Sequence, residues 1–201
     1  MTCEACFSFL RRKARHSRSA IGAVPSLLVW RRPRAVEVDA RMTLQRSLMS
    51  SKRDSWNTPK VVLDFVSMLG PIGLDPCSNA DSIVRAGAAF IGGGLTTPWH
   101  VEPGDGLIYV NPPYGRGIGK WIDLCDQYGD AYEIIALLPA RTDAKWFIKV
   151  WSADDLCFWR GRLRFLGAPS SAPFPSVVAY WGPRKYQFAA IFEEVGHVVI
   201  P

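Results

Sequence analysis

Leu107-Ile108-Tyr109-Val110-Asn111-Pro112-Pro113-Tyr114-Gly115 is the stretch on which the fold turns. Four consecutive apolar residues read as a strand buried on both faces, and two prolines stop that strand at Asn111. Upstream, Ile72-Gly73-Leu74 has the same form and runs into Asp75-Pro76-Cys77-Ser78. In a parallel sheet, ligands bind beyond the carboxyl ends of the strands, near the point where the strand order reverses. Both tetrapeptides are therefore expected there, facing each other across one crevice, which is the geometry of a two-substrate site.

Working outward, Thr58 reads as a helix N-cap with Pro59 at the first helical position. Val61, Val62, Phe65, Met68 and Leu69 follow at helical spacing, and Gly70 closes the helix. Downstream, Gly115 to Gly119 reads as a loop, and Ile118, Trp121, Ile122 and Cys125 mark an amphipathic helix ending near Gly129. Glu133 to Leu138 reads as a strand, and Thr142 or Asp143 as the cap of a helix from Ala144 to Trp151. Further strands are expected at Leu156–Trp159, Ser176–Trp181 and Gln187–Phe192, the last two as a hairpin around Gly182-Pro183. Alternating strands and helices imply an α/β fold: a mostly parallel twisted sheet with an antiparallel C-terminal hairpin.

The chain has 201 residues and a formal net charge of +6, but that charge is concentrated at one end. Residues 1–55 hold 12 Lys and Arg against 4 Asp and Glu, whereas residues 56–201 hold 12 against 14. The first segment lacks a sustained period of 3.6 or 2, so it reads as a disordered basic extension preceding a domain at 56–201. Either Met42 or Met49 could start the working protein, and an arm touching nucleic acid phosphates is the other reading of the extension. An apolar share of 48% with eight Trp excludes a wholly disordered chain. No apolar run reaches the roughly 18–20 residues that would span a bilayer, so no membrane association is expected. Five cysteines at unrelated spacings, including a lone Cys3-x-x-Cys6, support neither a disulfide framework nor a metal site. A reduced, cytoplasmic setting is the expectation.

Asn-Pro-Pro-Tyr has a chemistry of its own. An amine conjugated to a ring is a poor nucleophile, because its lone pair is delocalised. Two carbonyls, each accepting one N–H, draw that nitrogen toward tetrahedral geometry and free the lone pair. Asn111 can supply a side-chain oxygen and Pro112 a backbone carbonyl. Pro112 and Pro113 fix the backbone in advance, and Tyr114 offers a flat face for a flipped base. The plainer reading is a proline turn at a strand end with Tyr114 packed beneath it.

The stretch from Trp56 to about Trp181 resembles the phage-type DNA adenine-N6 methyltransferases related to Dam. The resemblance rests on Trp56-x-Thr58-Pro59, Leu74-Asp75-Pro76-Cys77-Ser78, Trp99, Asn111-Pro112-Pro113-Tyr114 and the run Leu137 to Phe147. Gly161-Arg162-Leu163-Arg164-Phe165 and Ala172-Pro173-Phe174-Pro175-Ser176 follow in the family's order. It implies a Rossmann-like class I methyltransferase using S-adenosylmethionine. By the same resemblance, Asp75, Pro76, Cys77 and Ser78 form the cofactor motif, with Asp75 at the methionine end. Trp56, Thr58 and Pro59 close over the cofactor, and Asn111 to Tyr114 are catalytic. The chain departs from the common methyltransferase pattern in lacking a Gly-x-Gly run after the first strand. It also has no evident acid for the ribose, Asp81, Glu102 and Asp105 being the nearest candidates. Gly92-Gly93-Gly94 reads as a turn, since no Lys-Ser/Thr follows it.

Arg141, Lys145, Arg162 and Arg164, with Arg160 beside them, form a late basic group suited to double-stranded DNA. Arg162 and Arg164 alternate with Leu163 and Phe165, which would place both arginines on one face of a strand. The expected function is adenine-N6 methylation of DNA by a monomer or weak dimer. The alternatives are an enzyme of the same fold acting on RNA or a protein glutamine, and an inactive relative that only binds nucleic acid.

Overall fold

The computed structural model describes residues 56–201, so the expectations for residues 1–55 lie outside the described residues. Helix α1 spans Lys60–Leu69, and strands β1 and β2 span Ile72–Ser78 and Ala86–Ile91. Strand β3 (Leu107–Val110), helix α2 (Ile118–Gly129) and strand β4 (Ile134–Pro139) follow. A 3₁₀ helix at Lys145–Ser152 leads to β5 (Asp155–Trp159), β6 (Ser176–Trp181), helix α3 (Lys185–Phe192) and β7 (Gly196–Val199).

The seven strands form one mixed sheet in the order β2-β1-β3-β4-β6-β5-β7. The pairs β1·β2, β1·β3 and β3·β4 are parallel, whereas β4·β6, β5·β6 and β5·β7 are antiparallel. Five strands thus share a direction and β6 and β7 oppose it. Alternation along the strands divides the core into two layers. Ile108, Val110, Ile134 and Ala136 face Ile118, Trp121, Ile122, Cys125, Phe147 and Val150. Leu107, Tyr109, Ile135 and Leu137 face Val62, Val66 and Leu69 of α1 and Phe188, Ile191 and Phe192 of α3. Helices therefore cover both faces, as the alternating pattern requires.

The chain leaves β1 for β2 on one side and then crosses to β3 on the other. That reversal is the switch point; Asn111 to Tyr114 follow β3 there, whereas Asp75 to Ser78, expected beyond β1, are its last four residues. The return from β1 to β2 takes only the seven residues 79–85 and contains no helix, although parallel crossovers ordinarily need a dozen or more. Just past β2, Gly94 lies so close to β1 that a Cβ there would come within 1.8 Å of the Pro76 carbonyl oxygen. Trp99 holds this loop from beneath by donating its indole N–H to the Gly94 carbonyl at 2.8 Å. Gly92-Gly93-Gly94 is a turn whose first two residues have φ of 85° and 74°, values that suit glycine.

Several expectations are corrected. Gln187–Phe192 is the body of helix α3, so there is no hairpin around Gly182-Pro183, and the closing antiparallel strand is β7 against β5. Burial at Phe188, Ile191 and Phe192 follows the i, i+3, i+4 spacing. The Phe188 ring stacks on Phe192 at 4.5 Å and on Tyr180 at 4.9 Å. The segment Lys145–Ser152 is a 3₁₀ helix, and neither Thr142 nor Asp143 caps it. Thr58 does not cap α1, because Pro59 occupies the N-cap position. Gly161 to Phe165 forms no strand, though it is extended in burial: Leu163 and Phe165 point inward, Arg162 and Arg164 outward. Among the described residues no helix is long and apolar enough to cross a membrane.

Candidate active site

Asn111 directly follows β3, and its backbone N–H donates to Sγ of Cys77 on β1 over 3.1 Å. Its side-chain amide nitrogen donates to the Trp56 carbonyl at 2.5 Å and to Oγ1 of Thr58 at 3.0 Å. Thr58 is buried and its hydroxyl also pairs with that of Tyr109 at 3.0 Å. With both N–H groups engaged, Oδ1 of Asn111 remains buried and without a partner. A buried acceptor left unpaired costs stability unless a ligand supplies the donor.

The cleft around it is lined by Trp56, Asn57, Thr58, Asp75, Cys77, Asn79, Ser82, Val84, Asn111 and Pro113. Asp75 is 3% exposed, and one of its oxygens accepts the Cys77 N–H at 3.1 Å. Desolvation raises its carboxyl above the usual range, partly offset by that N–H and by Ser78. Burial, followed by the neighbouring charge of Asp75, pushes the Cys77 thiol well up, so it stays protonated. Asn79 donates to Asn57 at 2.6 Å, which ties the β1–β2 return to the segment before α1. On its other side that segment is held by Leu166, whose N–H donates to the Asn57 carbonyl at 2.9 Å. The free space left in the cleft is about 20 Å³, room for a single water.

Tyr114 does not stand free. Its hydroxyl donates to the Leu137 carbonyl at 3.1 Å, and its ring meets Phe165 and Phe174 edge to face at 5.8 and 5.5 Å. Trp56 packs on the same two phenylalanines at 5.3 and 5.8 Å. An aromatic box of Trp56, Tyr114, Phe165 and Phe174 thus adjoins Asn111.

The family model for DNA N-6-adenine-methyltransferase (Dam) matches residues 45–179, two thirds of the chain. The chain belongs to the Dam family. No curated protein and no solved structure matched it. The Dam match contains every motif quoted above, and its first residue, Gln45, precedes the described residues by eleven positions.

Within this Dam-family chain the structure brings Trp56, Thr58, Asp75, Cys77, Asn111 and Pro113 to one cleft. Pro59 instead borders a separate groove with Lys60 and Arg164. Pro76 lies against Gly94, and Ser78 pairs with the end of β2. Pro112 is buried and is not among the residues lining the cleft. Lys145, Arg162 and Arg164 are exposed, Arg164 leaning on the Ala168 carbonyl at 3.3 Å. Arg141 is half-buried, with Nε unpaired. Sequence reasoning missed Asn57, Asn79, Ser82, Val84 and Tyr109. Asn57 and Asn79 each adjoin a recognised motif, a usable signal; Tyr109 read only as strand. His100 pairs at the surface with Tyr132 at 2.9 Å and Glu102 at 3.0 Å. Among the described residues no group of three or more His, Cys, Asp or Glu converges to hold a metal.

Proposed function

We propose that this chain transfers a methyl group from S-adenosylmethionine to the N6 amine of an adenine flipped out of double-stranded DNA. The observation that carries the reading is the buried, partnerless Oδ1 of Asn111 at the carboxyl end of β3. Asn111 lines the cleft and its unpartnered side-chain atom is an acceptor, which suits an amine N–H and nothing anionic.

The residues present fit the cofactor. A desolvated carboxylate such as Asp75 gains most from a cationic partner, and the ammonium of the methionine moiety is one. Trp56 and Thr58 line the cleft beside Asp75 and Cys77, and Pro59, next in the chain, borders the neighbouring groove. S-adenosylmethionine, when bound, supplies an electrophilic methyl on a sulfonium. Oδ1 of Asn111 accepts one N–H of the adenine amine and the Pro112 carbonyl the other, which directs the nitrogen lone pair at the methyl. Methyl transfer would break the sulfonium S–C bond as the N–C bond forms, leaving S-adenosylhomocysteine, and the amine proton, made acidic in the same step, would pass to solvent without a strong base. Tyr114, its orientation fixed by Leu137, presents a ring for base stacking.

The switch-point cleft and the helices on both faces support the Rossmann-like class I reading of the sheet. Arg141, Lys145, Arg162 and Arg164 hold the DNA in this reading. The test is incubation of purified full-length chain with S-adenosylmethionine and unmethylated plasmid DNA, followed by nucleoside mass spectrometry. N6-methyladenine above the no-enzyme control is the expected result. Methyl incorporation only into RNA or protein would select the alternative acceptors, and none in any acceptor would select the inactive relative.

A further inference from the structure

The bonds around Asn111 say more than that its oxygen is free. Trp56 presents a backbone carbonyl, which can only accept. The Asn111 atom 2.5 Å from it must therefore be the amide nitrogen. Flipping the carboxamide would set two oxygens against each other and turn the N–H groups toward the amine, where acceptors are needed. The second N–H goes to Thr58, whose hydroxyl is braced by Tyr109 from the interior of β3. Tyr109 and Thr58 are both buried. Tyr109 precedes Asn111 by two positions, so strand alternation puts the two side chains on one face. Thr58 is thereby wedged between them.

We propose that Thr58, braced by Tyr109, and the Trp56 carbonyl form a clamp that fixes the rotamer and amide orientation of Asn111, making Thr58 a positioning residue for methyl transfer. This rests on the reading of Asn111 as the amine-binding group. The resemblance assigned Thr58 to closing over the cofactor; the hydrogen bonds give its hydroxyl a task directed at Asn111. The clamp also selects an amide over a carboxylate at position 111. A charged carboxylate would place an oxygen against the Trp56 carbonyl. Only the protonated acid can donate to that carbonyl and keep its other oxygen free for the amine.

Three variants of the full-length chain test this. Thr58→Val keeps the shape and removes the hydroxyl. With saturating S-adenosylmethionine its kcat should fall about 100-fold, as for a misplaced reacting group, while calorimetric affinity for S-adenosylmethionine without DNA stays within a few-fold. Thr58→Ser should restore most of the turnover. Asn111→Asp should be nearly inactive at pH 8, and its pH–rate profile should be displaced toward acid relative to wild type. A Thr58→Val enzyme with wild-type kcat, or an Asn111→Asp enzyme with the wild-type profile, would overturn the clamp. A readout independent of turnover is the ¹⁵N side-chain amide pair of Asn111, assigned by its loss in Asn111→Ala. It should resist hydrogen exchange in wild type and exchange faster in Thr58→Val. An unprotected pair in the wild type sinks the clamp even if DNA is methylated; a protected pair without methylation leaves the clamp standing and sinks the reaction assignment instead.

Discussion

Sγ of Cys77 accepts the backbone N–H of Asn111 across 3.1 Å, so one weak hydrogen bond joins the carboxyl ends of β1 and β3 at the switch point. The thiol does this as a half-buried neutral group. Its pKa lies well above the usual thiol range because of burial and the adjacent Asp75 carboxylate. Cys125 and Cys157 are raised by burial too, Cys157 to about 12. Thiolate is the reactive species. Native protein treated with iodoacetamide at pH 8 should therefore leave all three unmodified in peptide-resolved mass spectra, and urea should release them. Rapid native alkylation of Cys77 would contradict this description of the site.

Asn111→Ala removes the orphaned oxygen without touching Asp75. Methylation should fall by at least about 100-fold, the cost seen when a single positioned electrostatic group is lost. Binding of S-adenosylmethionine, measured by calorimetry without DNA, should stay within a few-fold of wild type. Near wild-type turnover would show that Asn111 does not hold the amine.

For Asp75 the sign of the pH effect follows from its raised pKa. Its contribution to folding is greatest at low pH, where the carboxyl is protonated, and is lost as pH rises through the raised value. Pairing with an ammonium needs the charged form, so affinity for S-adenosylmethionine should weaken as pH falls through the same range. Asp75→Asn should lower affinity by about 10- to 100-fold, the worth of a hydrogen bond to a charged group. It should also flatten the pH dependence and leave the unliganded protein no less stable at neutral pH. Calorimetry from pH 5 to 8 and thermal melts supply both readings, and an unaltered pH dependence would remove Asp75 from the cofactor site.

Where periodicity was strong, the fold was legible: α1, α2, β1, β3, β4 and β6 lie close to where the apolar spacing puts them. Helix α3 was misread because Phe188-Ala189-Ala190-Ile191-Phe192 is a short apolar run, which looks alike as helix or strand. Its packing on Tyr180 decides the matter, and that is a tertiary fact. Strand β2 was missed because Ala86-Gly87-Ala88-Ala89 has none of the β-branched residues that announce a strand. It forms by close approach, a Cβ at Gly87 lying 3.1 Å from the Gly73 carbonyl oxygen. At the site, residue types were readable from the motifs, since Asn, Pro and Asp carry their chemistry locally. Thr58 and Tyr109 are 51 positions apart, and no local pattern joins them.

Asp155 opens β5 as a buried carboxyl with neither oxygen hydrogen-bonded. Desolvation raises its pKa, Lys185 opposing and Asp154 adding. Native protein therefore holds this proton more tightly than unfolded protein. Its stabilising effect is present at acid pH and disappears as pH rises through the raised pKa. Asp155→Asn should raise Tm at pH 7.5 by the few degrees that about 1 kcal/mol represents in a chain of this size. The gain should shrink toward pH 4. Calorimetric melts across that range decide it, and a uniform loss of Tm would mean that the carboxylate has an unseen cationic partner.

The segment between β5 and β6 carries the clearest test of DNA contact. Leu163 and Phe165 are buried there while Arg162 and Arg164 point outward, and Phe165 is also a wall of the aromatic box beside Asn111. A base entering that box would draw its flanking phosphates past the two exposed guanidinium groups. Replacing both with Ala leaves the buried pair in place, so the fold and the affinity for S-adenosylmethionine should be unchanged. DNA affinity should drop, and the log–log salt slope should flatten by about 1.8, since each lost phosphate contact removes about 0.9. Fluorescence anisotropy with a labelled duplex between 50 and 200 mM salt measures this slope. A weaker complex with the wild-type slope would mean that these arginines read bases and not phosphates. An unchanged affinity would move the DNA path to the other side of the cleft, toward Arg141 and Lys145.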